Sequence, residues 1–169
     1  HQIENACIAI CASLILRKLN YRIKKISIDK GIHETFWPGR LEKGNLKKID
    51  VFLDGAHNIE GSKQIVKFFN HNKKKRWAII AMLNNKDIKN FLLNMKKIVN
   101  GVIAIKIPNE KNSFSTKKIY EICKKYNIEC VRKKNILEAN NYLINTIKPK
   151  EVIITGSLYL VGKVRNLYI

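Results

Sequence analysis

The stretch "DGAHN", residues 54 to 58, places a carboxylate, a glycine, an imidazole and an amide directly after the apolar run "VFLD". Two readings compete: an ordinary turn from strand to helix, or the lip of a ligand site built on one. Two more polar groups stand at the ends of strand-like runs. Asn84, Asn85, Lys86 and Asp87 follow "RWAIIAML", and Thr155, Gly156 and Ser157 close "EVIITG". Each has a plain structural account: Asp54 or Asn58 as a helix cap, Asp87 in a first helical turn, Gly156 in a tight turn. Together they put a carboxylate, an imidazole, an ammonium and a hydroxyl on one edge, which favours a polar binding edge. Arg40 lies just past the Pro38-Gly39 break. Its planar fork suits a phosphate; the plain alternative is a solvated arginine beside Glu42.

The elements that must position these groups follow from the apolar pattern. "NACIAICASLILRKL" has the length and apolar content of a buried helix, and "SIDKGIHETF" reads as a shorter one. Beyond Pro38-Gly39, short β-rich runs alternate with amphipathic helical ones. "IDVFLD" leads to "EGSKQIVKFFNH", "RWAIIAML" to "KDIKNFLLNMKKIV", "GVIAIKI" to "STKKIYEICKKY", "IECVR" to "ILEANNYLINTI" and "EVIITG" to "SLYLVGKVRNLY". Strands apolar on both faces and separated by helices predict an α/β fold with a mostly parallel, Rossmann-like sheet covered by helices on both sides. Such sheets bind ligands at the carboxyl ends of their strands. Before the first parallel strand, "RLEKGNLKKID" is expected to form an extra edge hairpin.

Composition narrows the function classes. The chain has 169 residues, 46% of them hydrophobic, enough for one full domain and part of another. It begins with His1 in a helical pattern, from which an upstream native segment is expected. "ACIAICASLIL" is too short to span a bilayer and has Glu4 where a signal peptide needs a basic flank; a soluble, cytoplasmic protein is expected. Cys7, Cys11, Cys123 and Cys130 form no CxxC pair. Buried free thiols fit better than a metal site. The balance of 33 basic to 13 acidic residues, a net charge of +20, attracts anions. The excess is mostly lysine scattered over every segment, with no basic run interleaved with aromatics. A compositional bias is therefore preferred to nucleic-acid binding.

"GAHNIEGSK" comes nearest to a phosphate loop, yet five residues separate Gly55 from Gly61 and serine precedes lysine. These residues contain no ATP-cleaving centre of that type. In order along the chain, "PGRLE", "VFLDGAHN", "MLNNKD" and "ITGSLYLVGKVR" resemble the C-terminal domain of folylpolyglutamate synthase/dihydrofolate synthase, within the Mur ligase superfamily. "HQIENACIAICA" is similar to the helix that closes that family's central ATPase domain. The resemblance implies a boundary near Trp37. Residues 1–36 would be the helical end of the central domain and 37–169 a Mur ligase-type C-terminal α/β domain, with Trp37 and Pro38 marking a hinge. Ile59, where a proline often follows, and Asn85, where an acid is common, depart from the pattern.

The resemblance further implies an ATP-dependent ligase that adds L-glutamate to dihydropteroate or folate through an acyl phosphate. Asn5 would reach the adenine, Arg40 the ATP phosphates and Asp54 the ribose hydroxyls. His57 would lie near the nucleotide or the transferred group. Lys86 and Ser157 would grip the glutamate carboxylates, with Lys86 also counted, beside His57, in the catalytic set. Mg²⁺ ligands are expected upstream and none here. A monomer is expected, with neither nucleic-acid nor membrane partners. The competing readings are a Mur-type peptidoglycan ligase and a non-catalytic basic module that binds nucleic acid.

Overall fold

The computed structural model describes residues 2–70 and 74–169. His1 and His71, the first residue of the opening motif and the last of one expected helix, lie outside the described residues. The chain divides into two compact units, His1–Pro38 and Gly39–Ile169. The first holds α1 (Gln2–Lys18) and α2 (Lys25–Glu34). Glu4 in the first turn of α1 and Arg17 and Lys18 in its last oppose the helix dipole correctly. The sequence predicts a buried helix, yet α1 has no buried residue, and Ile3, Ile8 and Ile15 are exposed. Its apolar side chains point around the axis instead of forming one stripe, so the ten-residue α2 cannot cover them. Cys7 and Cys11 are consequently exposed, against the expectation of buried thiols; Cys123 is buried and Cys130 half-buried. Among the described residues no helix is long and apolar enough to cross a membrane.

The second unit is a six-stranded mixed sheet, mostly parallel, with helices on both faces. Its strands are β1 (Glu42–Leu46), β2 (Ile49–Leu53), β3 (Arg76–Ile80), β4 (Gly101–Ala104), β5 (Cys130–Arg132) and β6 (Glu151–Thr155), in the order β1-β2-β6-β3-β4-β5. Only β1 runs antiparallel, pairing Glu42 with Leu53 and Leu46 with Ile49. The expected edge hairpin is thus present, but its second arm is the first parallel strand itself. Lys47, at φ 57°, makes the turn.

Every residue of β3 and β6 is buried, because a central parallel strand is covered on both sides. Side chains alternate between two cores. Val51, Trp77, Ile79, Ile103, Val152 and Ile154 face α6 (Ile136–Tyr142) and α7 (Leu158–Val164). Ala78, Ile80, Val102 and Ile153 face α3 (Ile59–Phe69), α4 (Ile88–Met95) and α5 (Thr116–Lys125). The loops leaving β2 and β3 therefore turn to one face and the loop leaving β6, which lies between them, turns to the other. In open α/β sheets such a divergence makes the crevice, at the carboxyl ends of the strands, in which ligands are placed.

The amino end of the sheet is locked by charge. Arg76, 1% exposed, donates from Nε to Glu151 Oε2 at 2.8 Å and from Nη2 to the same oxygen, and its guanidinium lies 4.2 Å over the Phe69 ring. Lys74 donates to Glu151 Oε1 at 2.7 Å. Burial pushes the Glu151 carboxyl up, but hydrogen bonds and charge from Lys74 and Arg76 outweigh it and hold it below its ordinary value.

Candidate functional site

The first wall of the crevice is the segment Gly39–Leu41, held against the end of β2. Asp54 follows directly on β2 and is 7% exposed. Its Oδ1 accepts the Ala56 N–H at 2.8 Å and its Oδ2 the Leu41 N–H at 2.9 Å. Gly55 N–H donates to the Gly39 carbonyl at 2.8 Å. Burial pushes the Asp54 carboxyl up, and the two backbone N–H groups and the charge of Arg40 pull against that shift. Gly39 sits at φ 71°, where a Cβ would come within 2.7 Å of Val161, so glycine is required. Leu41 also takes a positive φ, 50°. Between these two fixed residues Arg40 is exposed, and its guanidinium has no hydrogen bond or ion pair among the described residues.

Arg40 is solvated, as its plain reading has it, but Glu42 beside it in sequence turns away to other partners. Glu42 is 9% exposed and accepts the Gly39 N–H at 2.9 Å and the fork of Arg165, with Nη2 to Oε1 at 2.6 Å and Nε to Oε2 at 3.0 Å. The hydrogen bonds from Arg165 hold the Glu42 carboxyl below its ordinary value, against a smaller upward push from burial.

The β2 and β6 loops are tied together. Gly156 N–H donates to the Ala56 carbonyl at 2.9 Å, and Thr155 Oγ1 donates to the same oxygen at 3.3 Å. Gly156 has φ 103°, and a Cβ there would lie 2.5 Å from the Ala81 carbonyl oxygen, so the β3 loop presses on it as well. His57, half-buried, has Nδ1 3.0 Å from the Gly55 carbonyl. A carbonyl only accepts, so Nδ1 carries a proton in this contact and Nε2 is the nitrogen left for a ligand. Asn58 caps α3 by accepting the Gly61 N–H at 2.8 Å. Ser157, 3% exposed, caps α7, its Oγ accepting the Tyr159 N–H at 3.1 Å.

Lys86 is half-buried in the loop after β3, and its ammonium has no partner among the described residues. Asp87 next to it caps α4, accepting the Asn90 N–H at 3.0 Å. Asn5 belongs to the first unit, exposed on α1, where its Nδ2 donates to Gln2 at 3.4 Å. The structure thus gathers Arg40, Asp54, His57 and Ser157 at the ends of the adjacent strands β2 and β6, and carries Lys86 on the loop from the next strand. Glu42 and Arg165 were missed as a pair in the sequence, although both stand inside the motifs "PGRLE" and "ITGSLYLVGKVR".

This edge offers two cations with no hydrogen bond or ion pair among the described residues, a buried carboxylate whose oxygens are fixed by backbone, and an imidazole. It is suited to holding an anion, not to moving protons. No three His, Cys, Asp or Glu converge as a metal set among the described residues. A cleft of about 290 Å³ beside Phe69, Lys74 and Ile98 lies at the opposite end of the sheet, its lysines committed to Glu151 and Asn94.

The fold is shared with solved structures. The chain superimposes on folylpolyglutamate synthase from Thermotoga maritima with a TM-score of 0.72 and 27% identity, covering 99% of this chain and 38% of that one. On E. coli FolC in complex with DHPP and ADP it gives a TM-score of 0.72 at 20% identity, covering 94% and 38%. In sequence it is 28% identical to the probable dihydrofolate synthetase of Schizosaccharomyces pombe, over 96% of this chain and 41% of that protein. Residues 40–167 match the family described as "Dihydrofolate synthetase, C-terminal domain", and the chain belongs to that family. It spans about two-fifths of the length of these relatives.

Proposed function

We propose that the chain is the C-terminal part of an ATP-dependent ligase that joins L-glutamate to dihydropteroate or a folate. One observation carries the reading: Arg40, exposed and without an ion pair among the described residues, stands on a segment fixed from both sides at the carboxyl edge of the sheet. In this reading its guanidinium grips the nucleotide phosphates, in keeping with the ADP bound by the E. coli relative. The spare lone pairs of Asp54 accept from the ribose hydroxyls, and Asn5 reads the adenine from residues 1–36, the end of the central domain. ATP phosphorylates the acceptor carboxylate, the glutamate amine attacks the acyl phosphate, and phosphate leaves from the tetrahedral intermediate.

Lys86 neutralises a glutamate carboxylate with Ser157 beside it, and the free Nε2 of His57 faces the transferred group. The described residues do not by themselves fit Mg²⁺, so no step here passes through it. The work of this domain is positioning and charge neutralisation, which dominate phosphoryl transfer. Closure about Trp37 and Pro38, with Trp37 65% exposed, would exclude water from the acyl phosphate. A cytoplasmic monomer is proposed.

The test is ADP formation by the longer protein with ATP, L-glutamate and either dihydropteroate or a muropeptide acceptor. Turnover with dihydropteroate or folate is expected. Turnover only with the muropeptide would move the protein to the peptidoglycan ligases, and salt-sensitive nucleic-acid binding without turnover would sink the enzyme reading.

A further inference from the structure

We infer that Glu42 and Arg165 form a positioning device for Arg40, acting from the side opposite Asp54. The inference rests on the proposed contact between Arg40 and the nucleotide phosphates. Arg40 lies between two residues whose backbone N–H groups are each taken by a buried carboxylate. Glu42 Oε2 accepts from Gly39 at 2.9 Å and Asp54 Oδ2 accepts from Leu41 at 2.9 Å. The Gly39 carbonyl is held in turn by Gly55 N–H at 2.8 Å. Leu41 at φ 50° occupies a conformation that a leucine keeps only where its surroundings over-determine it. The two carboxylates supply that constraint.

Glu42 has no freedom to do otherwise. Its two oxygens take both edges of the Arg165 fork, from a residue 123 positions later at the end of α7. Arg165 and Glu42 neutralise one another, so the clamp holds the loop without cancelling the charge that Arg40 presents. The same helix begins at Ser157, at the carboxyl end of β6. One element therefore links the β6 loop at its first residue to the Arg40 loop at its last. Arg165 and Glu42 touch no substrate in this scheme; they act through Arg40.

The test is a double-mutant cycle in the longer protein, reading the ATP KM, the L-glutamate KM and thermal stability for Arg40→Ala, Glu42→Ala and the double variant. Glu42→Ala is expected to raise the ATP KM about tenfold, the effect of losing one charge-assisted hydrogen bond, and to leave the glutamate KM nearly unchanged. In the Arg40→Ala background it should add nothing to the ATP KM. Arg165→Lys keeps the charge without the fork and should give a smaller rise in the same constant. It also supplies the result if Glu42→Ala does not fold. An ATP KM unchanged in both Glu42→Ala and Arg165→Lys, or raised by the same factor with and without Arg40, would overturn the inference while leaving the ligase reading in place. An ATP KM unmoved by Arg40→Ala would instead remove the phosphate contact, and the inference with it.

Discussion

Arg40 and Lys86, neither hydrogen-bonded nor ion-paired among the described residues, stand on separate loops, and this separation makes their effects separable in the longer enzyme. Loss of a charge-assisted bond to phosphate or carboxylate costs about 1.5–3 kcal/mol, roughly 10- to 100-fold in binding. Arg40→Ala should raise the ATP KM by that order and spare the glutamate KM; Lys86→Ala should do the reverse. Steady-state kinetics with each substrate varied in turn decides it, and two variants with wild-type constants would contradict the site. Asp54 makes a different prediction, because both its oxygens face backbone N–H groups. Asp54→Asn turns an amide donor toward one of them and should cost about 1–3 kcal/mol of stability, read as a lower thermal midpoint. An unchanged midpoint would mean that the clamp contributes little. At this scale the sequence was legible where a residue's type limited its use: a guanidinium after Pro-Gly, a carboxylate closing a strand. It was silent on Glu42, because its partner Arg165 lies 123 residues away and only the folded sheet brings them together.

The parallel strands were the most readable elements, since a strand covered on both sides is an unbroken apolar run, as in "WAII" and "VIIT". Helix ends were partly readable: Asn58 caps α3 as expected, whereas Asp87 caps α4 one position before the first turn expected of it, and Ser157 caps α7 without having been read as a cap. The expected helix over 136–147 is α-helical only to Tyr142 and then widens into a π-helical stretch, Leu143–Ile147, closed by Lys148 at φ 50°. No periodicity announces that change. Gly156 tests how tightly the loops at the carboxyl edge are fitted. Gly156→Ala places a methyl 2.5 Å from the Ala81 carbonyl at φ 103°, and backbone cannot yield as a side chain can. A loss of about 1–3 kcal/mol is expected in thermal or urea unfolding; a neutral variant would show that the β6 loop is slack.

At the other end of the sheet, Glu151 is held ionised by Arg76 and Lys74, and Glu42 by Arg165. Both carboxyls lie below their ordinary 4.5, so the stability they contribute is complete above that pH and is lost as pH falls through their lowered values. Asp54, raised above its ordinary 3.8, runs the opposite way and is no source of acid sensitivity. The thermal midpoint should therefore drop below about pH 4.5. Glu151→Gln, which removes the carboxylate charge facing the buried Arg76, should cost about 3–5 kcal/mol at neutral pH and flatten the acid limb. An acid limb as steep as the wild type's would assign the loss to other groups.

The two units differ in how far they sustain themselves. Gly39–Ile169 closes two hydrophobic cores around its sheet, whereas α1 exposes Ile3, Ile8 and Ile15 and both its cysteines. An apolar helix in that state is consistent with the proposal that residues 1–36 end a domain lying mostly upstream, within a protein whose relatives are about two and a half times as long. The +20 charge gives the molecule a general attraction for anions. The central claim is glutamate ligation to a pteridine acceptor. Its most direct measurement uses the protein as its own cells make it, given ATP, Mg²⁺, L-glutamate and dihydropteroate or a reduced folate, with ADP and the mass of the acceptor followed together. The account predicts one ADP for each glutamyl residue gained by the acceptor. ADP formation that ignores the acceptor, or an acceptor that gains no mass, would contradict it.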